Sequence, residues 1–272
     1  MEARDLLRAG DLAGALEALK QEIRSAPRDP KLRTFLFQLA CILGDWERAD
    51  TQLGVVAELD GLAIPMAQTY RAVIRCEMLR ERVFAGRATP TVFGEPQNWM
   101  SLLIEANRRL GAGDGETAAK LRDAAFEEAP ETPGVLDGTG FAWIADADSR
   151  LGPMLETFVD GKYYWVPFLR IAAIRIDPPE DLRDQVWLPA HFTWTNGGEA
   201  NGFIPSRYPG SAAAEDPAIA LSRRTEWIEI PGGAKGLGQR MLTTDAAEAA
   251  LLDVRGMALH QATADSTRLS RD

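Results

Sequence analysis

The chain has 272 residues, 46% of them hydrophobic and 26% charged, with a formal net charge of -10. That balance fits a soluble globular protein with one large domain or two ordinary ones. It argues against non-specific nucleic-acid binding and against docking on an anionic membrane, because both need Lys and Arg to neutralise phosphates.

The N-terminus, MEARDLLRAGDLAGAL, lacks a basic segment followed by an unbroken apolar one, so it does not read as a signal peptide. The most apolar run, Phe35 to Gly44, is far shorter than the roughly 20 residues that span a bilayer. Cys41 and Cys76 form no C-x-x-C pair and read as reduced, buried apolar residues in a cytoplasmic protein.

The first half repeats itself. A Gly-Asp pair followed by Ala and Leu at helical spacing occurs at Gly10, again 34 residues later at Gly44, and again at Gly113. Gly suits the end of one helix, Asp the positive start of the next, and small residues allow helices to cross closely. The period resembles that of tetratricopeptide repeats. Partner helices are expected at Leu32–Leu43, Met66–Phe84 and Trp99–Leu110. A Pro/Gly-containing loop, Ala85 to Asn98, stands where another helix belongs. Such arrays bind peptides or partner helices on a curved face. Groove candidates on the first helices are Arg33, Phe37, Arg71, Arg75, Asn107 and Arg108, the arginines suiting an acidic ligand.

Near Pro133 the helical period stops, which divides the chain into a helical repeat region over 1–133, a β-rich region over 134–260 and a polar tail over 261–272. Strands are expected at Phe141–Ala145, Tyr163–Val166, Leu169–Ile176, Val186–Trp194, Trp227–Ile230, Gly238–Thr243 and around Leu251–Leu259. TNGGEAN marks a hairpin turn, and helical pieces are expected at Pro153–Val159 and Pro179–Asp184. The fold class is α+β: a tetratricopeptide-like helical array followed by a small, mostly antiparallel β-rich domain.

A search for chemistry returns little. His191 and His260 have no Cys or His at ligand spacing, so no metal site is expected. No G-x-S-x-G occurs, and GGAKGLGQR lacks the ending of a phosphate-binding loop. DADSR, Asp146 to Arg150, reads as an ion-paired turn before a helix. GFIPSRYPGS, Gly202 to Ser211, reads as a rigid corner, with Arg207 forking onto Asp146, Asp148 or Asp184. Trp187, Trp194, Arg207 and Tyr208 form an alternative docking surface in the second half.

FAGRATPTVFGEP, FAWIADADSRLGPMLE, GKYYWVPF, DLRDQVWLPA, IPSRYPGS and LGQRMLTTD occur in that order. Together they resemble the ImpE/SciE (TagJ) family of type VI secretion accessory proteins, over a span from near the N-terminus to about Leu259. The resemblance implies a cytoplasmic, non-enzymatic adaptor with no cofactor. It also implies two partners, the small sheath subunit and the AAA+ ATPase that recycles contracted sheath. A small-ligand enzyme and a general helix-binding chaperone, either using the second half, are the alternatives.

Overall fold

The computed structural model describes residues 2–260; the expected polar tail lies outside the described residues. The helical half is a row of hairpins: α1 (Ala3–Arg8) with α2 (Leu12–Ser25), α3 (Pro30–Ile42) with α4 (Trp46–Leu59), and α6 (Asn98–Gly111) with α7 (Gly115–Glu128). Each Gly-Asp pair acts locally as its chemistry requires. Gly10, Gly44 and Gly113 take φ of 86°, 70° and 84°, the left-handed region that ends a helix. Asp11, Asp45 and Asp114 then accept hydrogen bonds from the backbone N–H of Gly14, Arg48 and Thr117, capping the next helix. The long α5 (Ile64–Phe84) has no partner helix of its own. The loop after it instead contributes β1 (Thr91–Val92), which pairs in parallel with β6 (Lys162–Pro167).

The helical half thus enters the sheet of the strand half. That sheet has nine strands in the order β1-β6-β5-β9-β8-β7-β14-β2-β3. Here β5 is Met154–Val159, β9 Glu199–Pro205, β8 Trp187–Trp194, β7 Ile171–Ile176, β14 Gly256–Leu259, β2 Gly134–Leu136 and β3 Thr139–Phe141. Apart from β1 with β6, all its pairings are antiparallel. One face meets the helices in a continuous core where Phe37, Tyr70 and Trp99 join Phe158, Trp165 and Trp187. The other face, with Leu155, Val166, Leu188 and Phe192, is covered by a second sheet and the turn at Leu251–Asp253. The second sheet is β13 (Glu248–Ala250), β12 (Met241–Thr244) and β4 (Ile144–Asp146). A separate hairpin, β10 (Thr225–Ile230) with β11 (Gly233–Gly238), and the short α8 (Pro217–Ala220) complete the chain. Each fully buried large apolar side chain contributes about 1.5–3 kcal/mol, so the core shared by both halves holds them together strongly.

Several sequence expectations need correction. Pro153–Val159, expected as a helix, is the strand β5, and all six of its residues are buried. A strand sandwiched between two layers has no solvent face, so it shows none of the polar alternation that marks a strand. Pro179–Asp184 gives only a single tight turn, Leu182–Gln185. The strand expected over Phe141–Ala145 breaks between β3 and β4, Leu169–Ile176 starts only at Ile171, and Leu251–Leu259 opens as a turn. The first part of GFIPSRYPGS, expected as a corner, is the end of β9.

Candidate functional site

The inner face of the helical array is already occupied along most of its length. Phe37 packs against Tyr70 with ring centroids 5.5 Å apart, and Tyr70 lies 6.1 Å from Trp187 of β8. Phe37 is therefore a core residue and not a groove residue, and Asn107 is likewise buried, donating to the Val83 carbonyl at 2.9 Å. Arg33 bonds to the Pro27 carbonyl and to Gln52 of α4. Arg71 pairs with Asp50 at 3.0 Å and Arg108 with Glu105 at 2.6 Å, while Arg75 is exposed. The proposed docking surface of the second half fails for the same reason. Trp187 and Trp194 are buried, the first donating to Glu77 at 2.9 Å and the second stacked on Phe192 at 5.1 Å. Arg207 and Tyr208 are buried too.

Where the two halves meet, the sequence builds a buried charge cluster. Arg80 of α5 forks onto both Glu156 oxygens of β5 at 2.8 and 2.9 Å, and pairs with Glu77 one turn back at 2.8 Å. Arg240 bridges Glu156 and Asp146, Tyr163 donates its hydroxyl proton to Glu156, and Tyr208 donates to Asp146 at 3.0 Å. Burial pushes the Glu156 carboxyl up, but Arg80 and Arg240 outweigh it and hold it at about 2. For Asp146 burial prevails over Arg240, and the carboxyl is raised to about 6. Arg207 does not fork onto a carboxylate as expected. It donates to the carbonyls of Cys41 and Ile42, at the end of α3, and of Ala220. Those helix-end carbonyls lack intrahelical partners and carry the negative end of the helix dipole, so a guanidinium satisfies them. The ion-paired turn at Asp148 and Arg150 forms as expected, at 2.6 Å, but leads into β5 instead of a helix. Asp146, Glu156 and Arg240 are closed to solvent, so the cluster can join the two halves but offers no reacting atom to a substrate.

The open part of the inner face is at its N-terminal end. A groove of about 470 Å3 runs between α1, the first turns of α3, the end of α4 and the loop before β8. Its apolar lining comes from Leu7, Phe35, Val56, Ala63 and Leu182. Arg4, Arg8 and Lys31 line it on the α1 and α3 side, with the Arg4 guanidinium 5.1 Å from the Phe35 ring centroid. Asp60, Glu180 and Asp181 line it on the opposite side. Next to Asp60 and Ala63, Leu62 is 92% exposed and Ile64 and Leu59 are also exposed, an apolar rim at the α4–α5 turn. An apolar floor with charged flanks suits an amphipathic segment. Sequence reasoning missed these residues because its groove candidates came from α3, α5 and α6, and none from α1 or the α4–α5 turn. The signal available was the apolar Leu62 and Ile64 in a turn.

A second cavity, about 690 Å3 and polar, lies over the solvent-facing part of β7, β8 and β9 around Arg175, His191 and Asn201. His191 faces Asp177 at 3.7 Å. Among the described residues no group of three His, Cys, Asp or Glu side chains is arranged to hold a metal ion, and no helix is long and apolar enough to cross a membrane.

Known proteins resemble this chain in sequence and in fold. The family profile described as ImpE protein matches residues 138–258. The type VI secretion system accessory component TagJ of Pseudomonas aeruginosa is 48% identical over 257 residues, covering 94% of this chain and 90% of that protein. The crystal structure of protein VPA1032 from Vibrio parahaemolyticus superposes with a TM-score of 0.87 at 30% identity, covering 95% of this chain and 97% of the other.

Proposed function

This chain belongs to the ImpE family, to which TagJ also belongs, and we propose on that premise that it is a non-enzymatic accessory protein of type VI secretion that docks a partner segment. The observation that carries the docking reading is the open groove. It combines an apolar floor, charged flanks and an exposed apolar rim. The burial of every member of the charge cluster supports a structural use for it and a non-catalytic protein.

The occupant we propose is an amphipathic helical segment of the small sheath subunit, with the sheath-recycling ATPase as a second partner in the cytoplasm. Its apolar face would lie on Leu7, Phe35 and Val56, and its charges would face Lys31 on one flank and Asp181 on the other. Calorimetric titration of the full chain with the N-terminal helical segment of the sheath subunit tests this. Saturable binding near the micromolar range, about 8 kcal/mol, is expected for the native peptide order and not for a scrambled one. Ala63→Trp, which fills the groove, should weaken it at least tenfold, whereas Arg75→Glu outside the groove should leave it unchanged. Unchanged affinity in Ala63→Trp would move the site elsewhere, and equal binding of the scrambled peptide would favour a general helix binder.

A further inference from the structure

The sheet edges of this molecule are unequal. The large sheet ends in strands of two and three residues, β1 and β3, and the second sheet ends in β13 and β4 with three each. Short edges offer little to an incoming strand. The β10–β11 hairpin differs, because each of its strands has six residues.

The outer edge of β11 is occupied. Gly238 accepts from the Tyr208 N–H at 2.9 Å and donates to the Ser211 hydroxyl at 2.8 Å. Gly236 donates to Asp148 at 3.0 Å, and Ala234 bonds to Ser149 through both its N–H and its carbonyl. These three residues stand opposite Thr225, Trp227 and Glu229. In an antiparallel ladder the bonding direction alternates, so the backbone groups of Thr225, Trp227 and Glu229 point the opposite way, out from β10. The bond from the Gln239 N–H to the Arg224 carbonyl, at 3.0 Å, fixes the same phase. Among the described residues nothing pairs with that edge, and it carries the exposed Trp227 and Ile228, at 43% and 40%.

We propose that β10 is a self-association edge, on which a second copy of this chain pairs antiparallel about Trp227. One register satisfies all three outward residues: Trp227 opposite the partner's Trp227, made once on the two-fold axis, and Thr225 opposite the partner's Glu229, made twice by it. Sliding by two residues leaves only two of the three facing an outward partner. The charges suit the same register. Glu229 lies across from the start of the partner's strand, where the exposed Arg223, whose guanidinium also donates to the Arg8 carbonyl at 3.2 Å, stands two residues before Thr225, within reach of a long side chain. A parallel arrangement in matched register would instead set Glu229 beside the partner's Glu229. The polarity of the strand, basic before Thr225 and acidic after Ile228, is therefore complementary to its own reverse.

An interface of one six-residue edge is small, so the association is weak and concentration-dependent. Sedimentation velocity of the full chain from about 1 μM to about 1 mM should show a monomer–dimer equilibrium. Glu229→Pro removes an outward N–H without touching the bonds to β11, and should raise the dissociation constant at least tenfold. Proline also restricts the strand backbone, so the charges give an independent arm. Arg223→Glu alone should weaken the dimer, and Arg223→Glu with Glu229→Arg should restore it. A monomer at every concentration overturns the proposal, as does a dimer indifferent to all these changes.

Discussion

The inner helical face is closed where the middle of α5 and the end of α3 lie on the large sheet, and open where α1 and the first turns of α3 meet solvent. In the closed region Arg80, Glu156, Arg240 and Asp146 satisfy one another with the water removed, and Arg207 is met by backbone carbonyls. In the open region Arg4, Lys31 and Glu180 keep their hydration, and the apolar residues among them line a groove. One repeat pattern therefore serves two purposes, and the β half decides which stretch of it remains available to a partner. A charge in the closed region is tied to folding, whereas a charge in the open region is free to serve binding.

The comparison breaks most clearly at Glu156. Glu156→Gln leaves two buried guanidiniums without their shared carboxylate and should cost about 3–5 kcal/mol, read by urea unfolding. A cost below about 1 kcal/mol would mean that the cluster does not hold the halves together. Arg80→Met, which removes the ion-pair partner of Glu77 and one of the two guanidiniums on Glu156, should fall in the same range.

Acid provides the next test. The folded Glu156 carboxyl, held at about 2, lies below its unfolded value of 4.5. Its stabilisation is complete above that value and is lost as pH falls through the folded one, about 3 kcal/mol in all. Asp146 acts with the opposite sign. Its folded carboxyl, at about 6, lies above the unfolded 3.8, so its contribution is complete below 3.8 and fades as pH rises through about 6. Stability measured against pH should fall steeply below about 4.5 in the natural protein. Glu156→Gln should remove that fall and Asp146→Asn should flatten the weaker slope near 6. A natural protein as stable at pH 2.5 as at pH 5 would contradict the first assignment.

The smallest effects separate local from tertiary contributions. Asp45→Ala removes the α4 cap and should cost about 1 kcal/mol. Lys31→Ala, in the open groove, should change stability by less than about 0.5 kcal/mol while altering partner affinity. A larger stability loss for Lys31→Ala than for Asp45→Ala would show that the groove is part of the fold's own support.

Much of the helical half was legible because its determinants are local. A left-handed glycine and an aspartate cap act within four residues of each other, so the pairs at Gly10, Gly44 and Gly113 read directly as helix boundaries. The TNGGEAN turn between β8 and β9 was visible for the same reason. The misreading of β5 shows the limit. Met154–Val159 is buried on both sides, and burial on both sides erases the periodicity from which a strand is recognised. The groove residues were missed because the choice among helical faces depends on what covers them.

The sequence by itself determined the capped helical hairpins, the change to strands near Pro133, and the family, since short-range geometry and ordered blocks of residues need no knowledge of the fold. Only the tertiary structure decided that Arg80, Asp146, Glu156, Tyr208 and Arg240 meet in one buried cluster, that Arg207 closes the end of α3, and that the free surface lies at the N-terminal groove and along β10. The physical reason is separation along the chain. Arg80 and Glu156 are 76 residues apart, and no local preference of either carries information about the other until the sheet is laid against the helices.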